Sequence, residues 1–563
     1  MSGSPSSPFA SIPQEVLEHI AYFAAADSTL GPPGGIVPLL LLNRSTYNAL
    51  TFHSNSVLYA RIFAHKFDVG AAVRRLGAER IHTGALAEEL KRRCIHLKRI
   101  RRRLDCKLPE TISRHEHEEQ LSAVLWTSYF MMLENEGKNE AQLREYGMID
   151  VWLKEFWFHP SGASQAIWSV NGEEWPVNNE RMSLAMWLFW LLLRPDDYMG
   201  DETAFRAATS ILKLIALGAH QYPLCYPPWY DFIPTRPWKE SSRIRIYSSD
   251  LTVVAPAPAA PAILSYLTLA NKLTVSWEAM NYMRPLAPTV YSTTCTKQSK
   301  EWDGEWARTL NVGDPKVISS NTLSRAFKPG SLHGVWEGLF TYTDFTAYAA
   351  LLSGAPPQTL HRSLVAQHRQ TWKLREYHLV EFDTEVDNNI DTAPHSVRPL
   401  GPGNPSRGYI PNGTELDETV DTLEIFEQGS REAIIYRSCD SIKKDIQKMG
   451  SDKWKGKVKD VIVTGEVRCP RFPPPTHLYS RRSVNYTQGH SAWGQFNLIG
   501  RVRPSDGFIS LSKEYVDGDR GRWLYRGYMV GDANGNLSGR WRDTLTLPHV
   551  AGYEGCFVMS RRK

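Results

Sequence analysis

The sequence predicts an α+β multidomain chain, helical through its first half and closing in an antiparallel β-barrel over residues 328–563. Three observations carry this. A chain of 563 residues exceeds what one core organises, so more than one domain is expected. Apolar residues recur at helical spacing up to about Trp277, whereas after Lys328 they alternate in short runs broken by Gly, Asp and Asn. The 18 Trp and 24 Tyr point to a β-rich part with aromatic girdles or a recognition surface. With 42% apolar and 22% charged residues the composition is that of a folded soluble protein. The expected divisions are a disordered tail (1–10), a two-helix module (11–55), a helical scaffold (56–280), an irregular connector (281–327) and the barrel (328–563), with a flexible insertion at 388–421.

The N-terminal module opens with Ser11, Pro13 and Glu15, a hydroxyl, a proline and an acid placed for the first turn of a helix. Ile12, Val16, Leu17, Ile20 and Phe23 then mark one helical face. The Gly/Pro turn Gly31–Gly35 breaks the chain before a second apolar segment, Val37–Leu42, which runs on to Arg44 and Tyr47. Two short helices with this much apolar surface cannot enclose a core alone; they need something to lie against.

The order I-P-x-E-V-L-x-x-I at Ile12–Ile20, followed by L-L-L-L-N-R-x-x-Y at Leu39–Tyr47, resembles the F-box. Two places depart from that family's pattern: the Gly/Pro insertion, and Asn43-Arg44 where the family often has Cys-Arg. The resemblance implies docking onto a Skp-type adaptor, and through it a cullin, with Ile12, Pro13, Val16, Leu17, Ile20, Leu39, Leu40, Leu41 and Leu42 facing the adaptor. The other reading of this stretch is the first two helices of an ordinary helical domain.

Beyond it, Val57–Leu104 is helical and basic, with Leu90, Cys94, Ile95, Leu97 and Ile100 as an inner stripe. The basic residues are read as a solvated face; no aromatics interleave with them as a single-strand binder would require, so nucleic acid is not an expected partner. His115 and His117, two apart, point away from each other on a helix and make no metal site. Helices are expected at Glu116–Leu133, Gly147–Phe158, Ser183–Leu193, Thr203–Leu217 and Ile263–Trp277. Pro223–Pro237 and Val253–Pro261 are too rich in proline for helix or central strand and read as irregular packing and a stiff connector.

In the C-terminal part, strands are expected at Gly334–Tyr342, Trp372–Val380, Thr422–Phe426, Ala433–Arg437, Asp460–Val467, Gly494–Val502, Gly507–Tyr515, Arg522–Val530, Leu537–Asp543 and Gly555–Arg561. Asp532–Gly535 is a hairpin turn, and a Lys-rich helix fits within Ser441–Lys459. The G-x-W-x-G at Gly334–Gly338 and the closing G-C-F-V-M-S-R-R resemble the C-terminal barrel of some F-box-only proteins, which implies a substrate-binding role. Trp336, Arg526, Tyr528, Arg540 and Trp541 are the candidate contacts, since arginine beside aromatics suits a peptide carrying a carboxylate, amide or phosphate. The competing reading has Trp336 and Trp541 plugging the core and the arginines outside, paired with Asp543 and Glu554.

No chemistry of the chain's own is legible. The seven cysteines are scattered without C-x-x-C spacing, which fits reduced thiols in cytoplasm or nucleus, and no activated nucleophile or phosphate loop is found. The N-terminus lacks the pattern of a secretory leader, and the longest apolar run, Met182–Leu193, has 12 residues, too few for a bilayer. The expected function is therefore non-catalytic and cofactor-free: a substrate receptor of an SCF-type ubiquitin ligase holding a protein or peptide client, away from membranes. The alternative is a calycin-like carrier enclosing a small ligand in the barrel.

Overall fold

The computed structural model describes residues 12–109, 113–238, 240–280, 298–382, 398–450, 454, 456–468, 496–515, 521–532 and 534–562. The expected tail, the Ser11 cap, residues 281–297 of the connector and 388–397 of the insertion lie outside them. The chain is an α+β multidomain protein with a helical N-terminal part and a closed antiparallel barrel.

Helix Gln14–Ala26 starts from Pro13, and the Gly/Pro turn leads through a 3₁₀ turn (Gly34–Ile36) into helix Val37–Leu40. Asn43 then caps a separate helix, Arg44–Leu50. Its side chain accepts from the Thr46 N–H at 2.8 Å while its own N–H donates to the Thr46 hydroxyl at 3.3 Å. Helices Ser56–Lys66, Gly70–Leu76, Thr83–Arg101, Arg114–Leu133, Ile149–Phe158, Glu180–Leu192 and Glu202–Leu217 follow, close to the expected spans. The basic stretch departs from a solvated face at several positions: Lys66 is buried, the Arg75 side chain is enclosed and paired with Asp303 at 2.9 Å, and Arg93 is fully buried, donating to Glu89 at 2.9 Å and Glu134 at 2.6 Å.

A hairpin of β1 (Ser242–Ile246) and β2 (Ser249–Val253) interrupts the helices where none was expected. Its turn, Tyr247-Ser248, has positive φ at both residues without Gly or Asn, so the usual sequence signal is missing. Tyr247 is held by the same buried cluster, its hydroxyl donating to Glu134 at 2.9 Å. Helix Ala259–Met280 then begins inside the expected stiff connector. The expected irregular connector also carries structure: a 3₁₀ turn at Ser299–Trp302 and helices Asp303–Asn311 and Pro315–Ile318.

The remaining strands are β3 (Gly334–Thr343), β4 (Val365–Phe382), β5 (Glu415–Glu418), β6 (Thr422–Phe426), β7 (Ala433–Ser438), β8 (Gly456–Arg468), β9 (Phe496–Val502), β10 (Ile509–Tyr515), β11 (Arg522–Val530), β12 (Asn536–Asp543) and β13 (Glu554–Arg561). Eight close the barrel in the order β3-β13-β12-β11-β10-β9-β8-β4, with β4 returning to β3. At the β11–β12 crossing Gly527 faces Gly539, and a Cβ on Gly539 would stand 1.9 Å from the Arg526 carbonyl oxygen, so the strands approach more closely there than any side chain permits. β5, β6 and β7 extend the sheet from the far end of β4, and helix Cys439–Met449 follows them. Residues 398–421, expected to be flexible, pack with this extension through the buried Leu400 and Ile410 and with the scaffold core through Tyr409.

Inward-facing side chains fill the barrel. Trp336, Phe340, Trp372, Tyr525, Trp541 and Phe557 are all buried there, the Trp372 ring centre 4.9 Å from Tyr525 and 5.4 Å from Phe557. The outer faces of β11 and β13 are buried as well. Tyr528, Val530, Cys556 and Val558 belong to the same core as the scaffold helices. The helical part is thus joined to the barrel wall through one continuous core.

Candidate interaction surfaces

Helix Gln14–Ala26 carries apolar residues on two sides. Leu17, Ala21 and Ala25, four apart, face the chain's own core and are buried together with Ile36 and Leu50. Val16, Ile20 and Phe23 project from the other side, Val16 at 48% and Phe23 at 65% exposure. Val37, Leu41 and Leu42 are exposed on the neighbouring segment, Leu41 at 78%. The expected adaptor contacts therefore divide. Val16, Ile20, Leu41, Leu42 and Pro13 lie open; Ile12, Leu39 and Leu40 are half-buried against the core; Leu17 is enclosed and has nothing to offer a partner. Phe23 and Val37 are open too, and the helical spacing of Val16 and Ile20 already pointed to Phe23.

The pair is anchored on its inner side. The Gly31 N–H donates to the Gln142 side-chain oxygen at 2.7 Å and that amide donates back to the Thr29 carbonyl at 2.8 Å. Asn55 Nδ2 donates to Glu18 at 2.8 Å. A Cβ on Gly31, whose φ is +71°, would meet the Tyr146 ring at 2.4 Å, so the Gly/Pro insertion is where the link presses onto the scaffold.

The five candidate substrate residues of the barrel are all enclosed. Trp336 and Trp541 occupy the interior, their indole N–H groups donating to the Leu332 and Thr341 carbonyls at 2.7 and 3.1 Å. Arg526, Tyr528 and Arg540 alternate with the interior set and face outward, where the scaffold covers them. Arg540 donates to the Ile215 and Ala216 carbonyls at 2.9 and 3.0 Å, the last turn of helix Glu202–Leu217, and also to Tyr222. A cation at the negative end of a helix, satisfying its free carbonyls, is a structural cap. Burial lowers the Arg540 pKa, with Glu554 opposing. Arg526 pairs with Glu554 at 2.8 Å and lies 4.2 Å over the Trp229 ring. Tyr528 donates to Asp506 at 2.6 Å, and Asp506 pairs with Arg503 at 2.7 Å. Arg503 reaches on to the Pro228 and Asp231 carbonyls at 2.8 and 3.0 Å. These outward arginines bind the chain's own Pro/aromatic segment, which answers why residues 223–237 carry so much proline and aromatic side chain: they lie along the barrel wall as an internal ligand.

One barrel end carries exposed apolar side chains. β3 and β12 finish where β4 and β13 begin, so residues 344–364, with helices Phe345–Leu352 and Gln358–Arg362, and the loop 544–553 leave by the same end. Phe345, Leu364, Leu545, Leu547 and Val550 are exposed there. Behind them Tyr342 and Trp523 are half-buried, 4.9 and 5.3 Å from the Trp541 ring. The second loop is braced from below. Asp543 accepts from the N–H groups of Leu545 and Thr546, at 3.0 and 2.7 Å, and Arg542 donates to the Thr546 and Val550 carbonyls. Polar side chains hold the backbone while the apolar ones point out. Sequence reasoning missed this patch because Leu545, Leu547 and Val550 lie between strands.

No family model, curated protein or solved structure matches this chain.

Proposed function

We propose that the chain is a non-catalytic substrate receptor of an SCF-type ubiquitin ligase, docking a Skp-type adaptor through its N-terminal helices and holding a client at the apolar end of the barrel. The observation that carries this reading is that Val16, Ile20, Phe23, Val37, Leu41 and Leu42 stay exposed although the same two segments are already anchored on their inner side. Apolar side chains left exposed in this number characterise interaction sites. The F-box resemblance of Ile12–Tyr47 supports an adaptor as the partner. The braced apolar loop at Leu545–Val550 supports client capture at the rim, and the filled interior favours a rim over an enclosed small ligand.

The test uses Ile20→Asp combined with Leu41→Asp, both exposed, so that the fold is left alone. The full-length chain should form a one-to-one complex with a recombinant Skp adaptor on size exclusion, and the double variant should elute free with an unchanged melting temperature. A wild-type chain that ignores the adaptor, or a variant that still binds it, refutes the reading. Leu17 is the wrong probe, since an aspartate at this buried position would damage the chain's own core.

A further inference from the structure

A cleft of about 620 Å³ separates the β1–β2 hairpin from helices Thr83–Arg101 and Arg114–Leu133, remote in sequence from both surfaces described above. Its volume falls in the range of pockets that take ligands. One wall is the outer edge of β1. In the pairing, Ile246 faces Ser249 across a two-residue turn, which makes 246:249, 244:251 and 242:253 the hydrogen-bonded pairs. The backbone groups of Arg243 and Arg245 therefore point away from β2, toward the cleft. Arg92 marks this geometry by donating to the Arg245 carbonyl at 2.6 Å. Among the described residues β1 pairs with no other strand, which leaves the N–H and C=O of Arg243 and the N–H of Arg245 as an open ladder.

The opposite wall is built to leave room. Helix Arg114–Leu133 presents Ser122 and Ala123, small side chains, across from the edge. Trp126, only 3% exposed, lines the same wall with its side chain.

Charge selects the occupant. The side chains of Arg243 and Arg245 share one face of β1 and are exposed, with no ion pair among the described residues, whereas Arg181 is neutralised by Glu118 at 3.3 Å and Arg92 by Glu89 at 2.6 Å. Glu119 on the helical wall disfavours a uniformly acidic ligand.

We infer that this cleft binds an extended peptide as a third strand on the free edge of β1, with acidic side chains at alternate positions over Arg243 and Arg245 and uncharged residues between them. Main-chain hydrogen bonds to an exposed edge supply affinity, and alternate side chains supply specificity. This site is independent of the adaptor-docking face.

The test is fluorescence anisotropy of the full-length chain with a labelled hexapeptide, Val-Glu-Val-Glu-Val-Glu, and two N-methylated versions, one blocked at every Val amide and one at every Glu amide. Only one set of amides faces β1, so one version should lose roughly tenfold or more in affinity while the other binds like the parent. Replacing both exposed arginines (Arg243→Gln with Arg245→Gln) should weaken the parent peptide by roughly tenfold, on the scale of two exposed charge pairs. Replacing the peptide's Glu by Lys should abolish binding. Absence of binding, equal binding by both methylated peptides, or an arginine double variant within twofold of wild type overturns the inference.

Discussion

The N-terminal helix pair and the outer wall of the barrel invert the usual distribution of residues in opposite senses. On the helix pair, Val16, Phe23 and Leu41 face solvent; on the barrel wall, Arg501, Arg503, Arg540 and Arg542 are among the most deeply buried side chains of the molecule. The difference lies in whether the partner belongs to the same chain. The wall arginines have theirs: helix-end carbonyls, the Pro223–Pro237 segment and the carboxylates of Asp460, Asp506 and Glu554 lie against them. The helix pair has an inner partner and none outside among the described residues. Buried polarity here closes a fold, while exposed apolarity leaves one surface to be covered.

The largest effect that would break this contrast is at Arg503. Arg503→Ala strands the buried Asp506 carboxylate and frees the Pro228 and Asp231 carbonyls, and breaking a buried pair costs about 3–5 kcal/mol. Denaturant unfolding of the full chain should show a loss of that size, and a tolerant protein would mean the wall arginines are not what joins scaffold to barrel. Next is Arg540→Met, which keeps the aliphatic volume but leaves the end of helix Glu202–Leu217 without its cation. A loss of about 1.5–3 kcal/mol is expected, the scale of hydrogen bonds to a charged group. At the other extreme, Ile20→Asp with Leu41→Asp should move stability by no more than about 0.5 kcal/mol, because both side chains are already in water. A large destabilisation there would show that the outer face is covered by the chain itself.

The smallest effect concerns pH. Asp532, at the β11–β12 turn, has its pKa pushed up to about 6 by burial and by the nearby Glu305, with Lys328 opposing. An acid whose folded value is raised adds stability below its unfolded value of 3.8, and that stability is lost as pH rises through about 6. Asp532→Asn should therefore raise the melting temperature more at pH 7.5 than at pH 5, with the difference shrinking toward nothing below pH 3.8. The reverse ordering would place the ionised form as the favoured one.

The glycine-punctuated alternation after Lys328 placed every expected strand, and the spacing of Leu121, Val124, Leu125, Tyr129 and Met132 placed a helix to within a few residues. Local pattern sufficed there because period and turn chemistry are properties of a short window. It failed at Tyr247-Ser248, where two residues without special turn preference adopt positive φ because Tyr247 is tied to Arg93 and Glu134, more than a hundred residues away. It placed Thr422–Phe426 and Ala433–Ser438 as strands but not their position, which is beside the barrel, extending the sheet without closing it.

The candidate sites divide on the same physical line. The residue order Ile12–Tyr47 by itself determined that two amphipathic segments would stand at the front of the chain with apolar surface to spare, since amphipathicity is written in spacing. Which of those side chains were spent on the chain's own core, as Leu17 was, and which were left open, as Leu41 was, only the tertiary structure decided. The same holds for Arg526 and Arg540, whose alternation with Tyr525 and Trp541 assigns them to one face without saying what lies against it. Burial is a relation between distant parts of a chain, and no short stretch of sequence contains both partners.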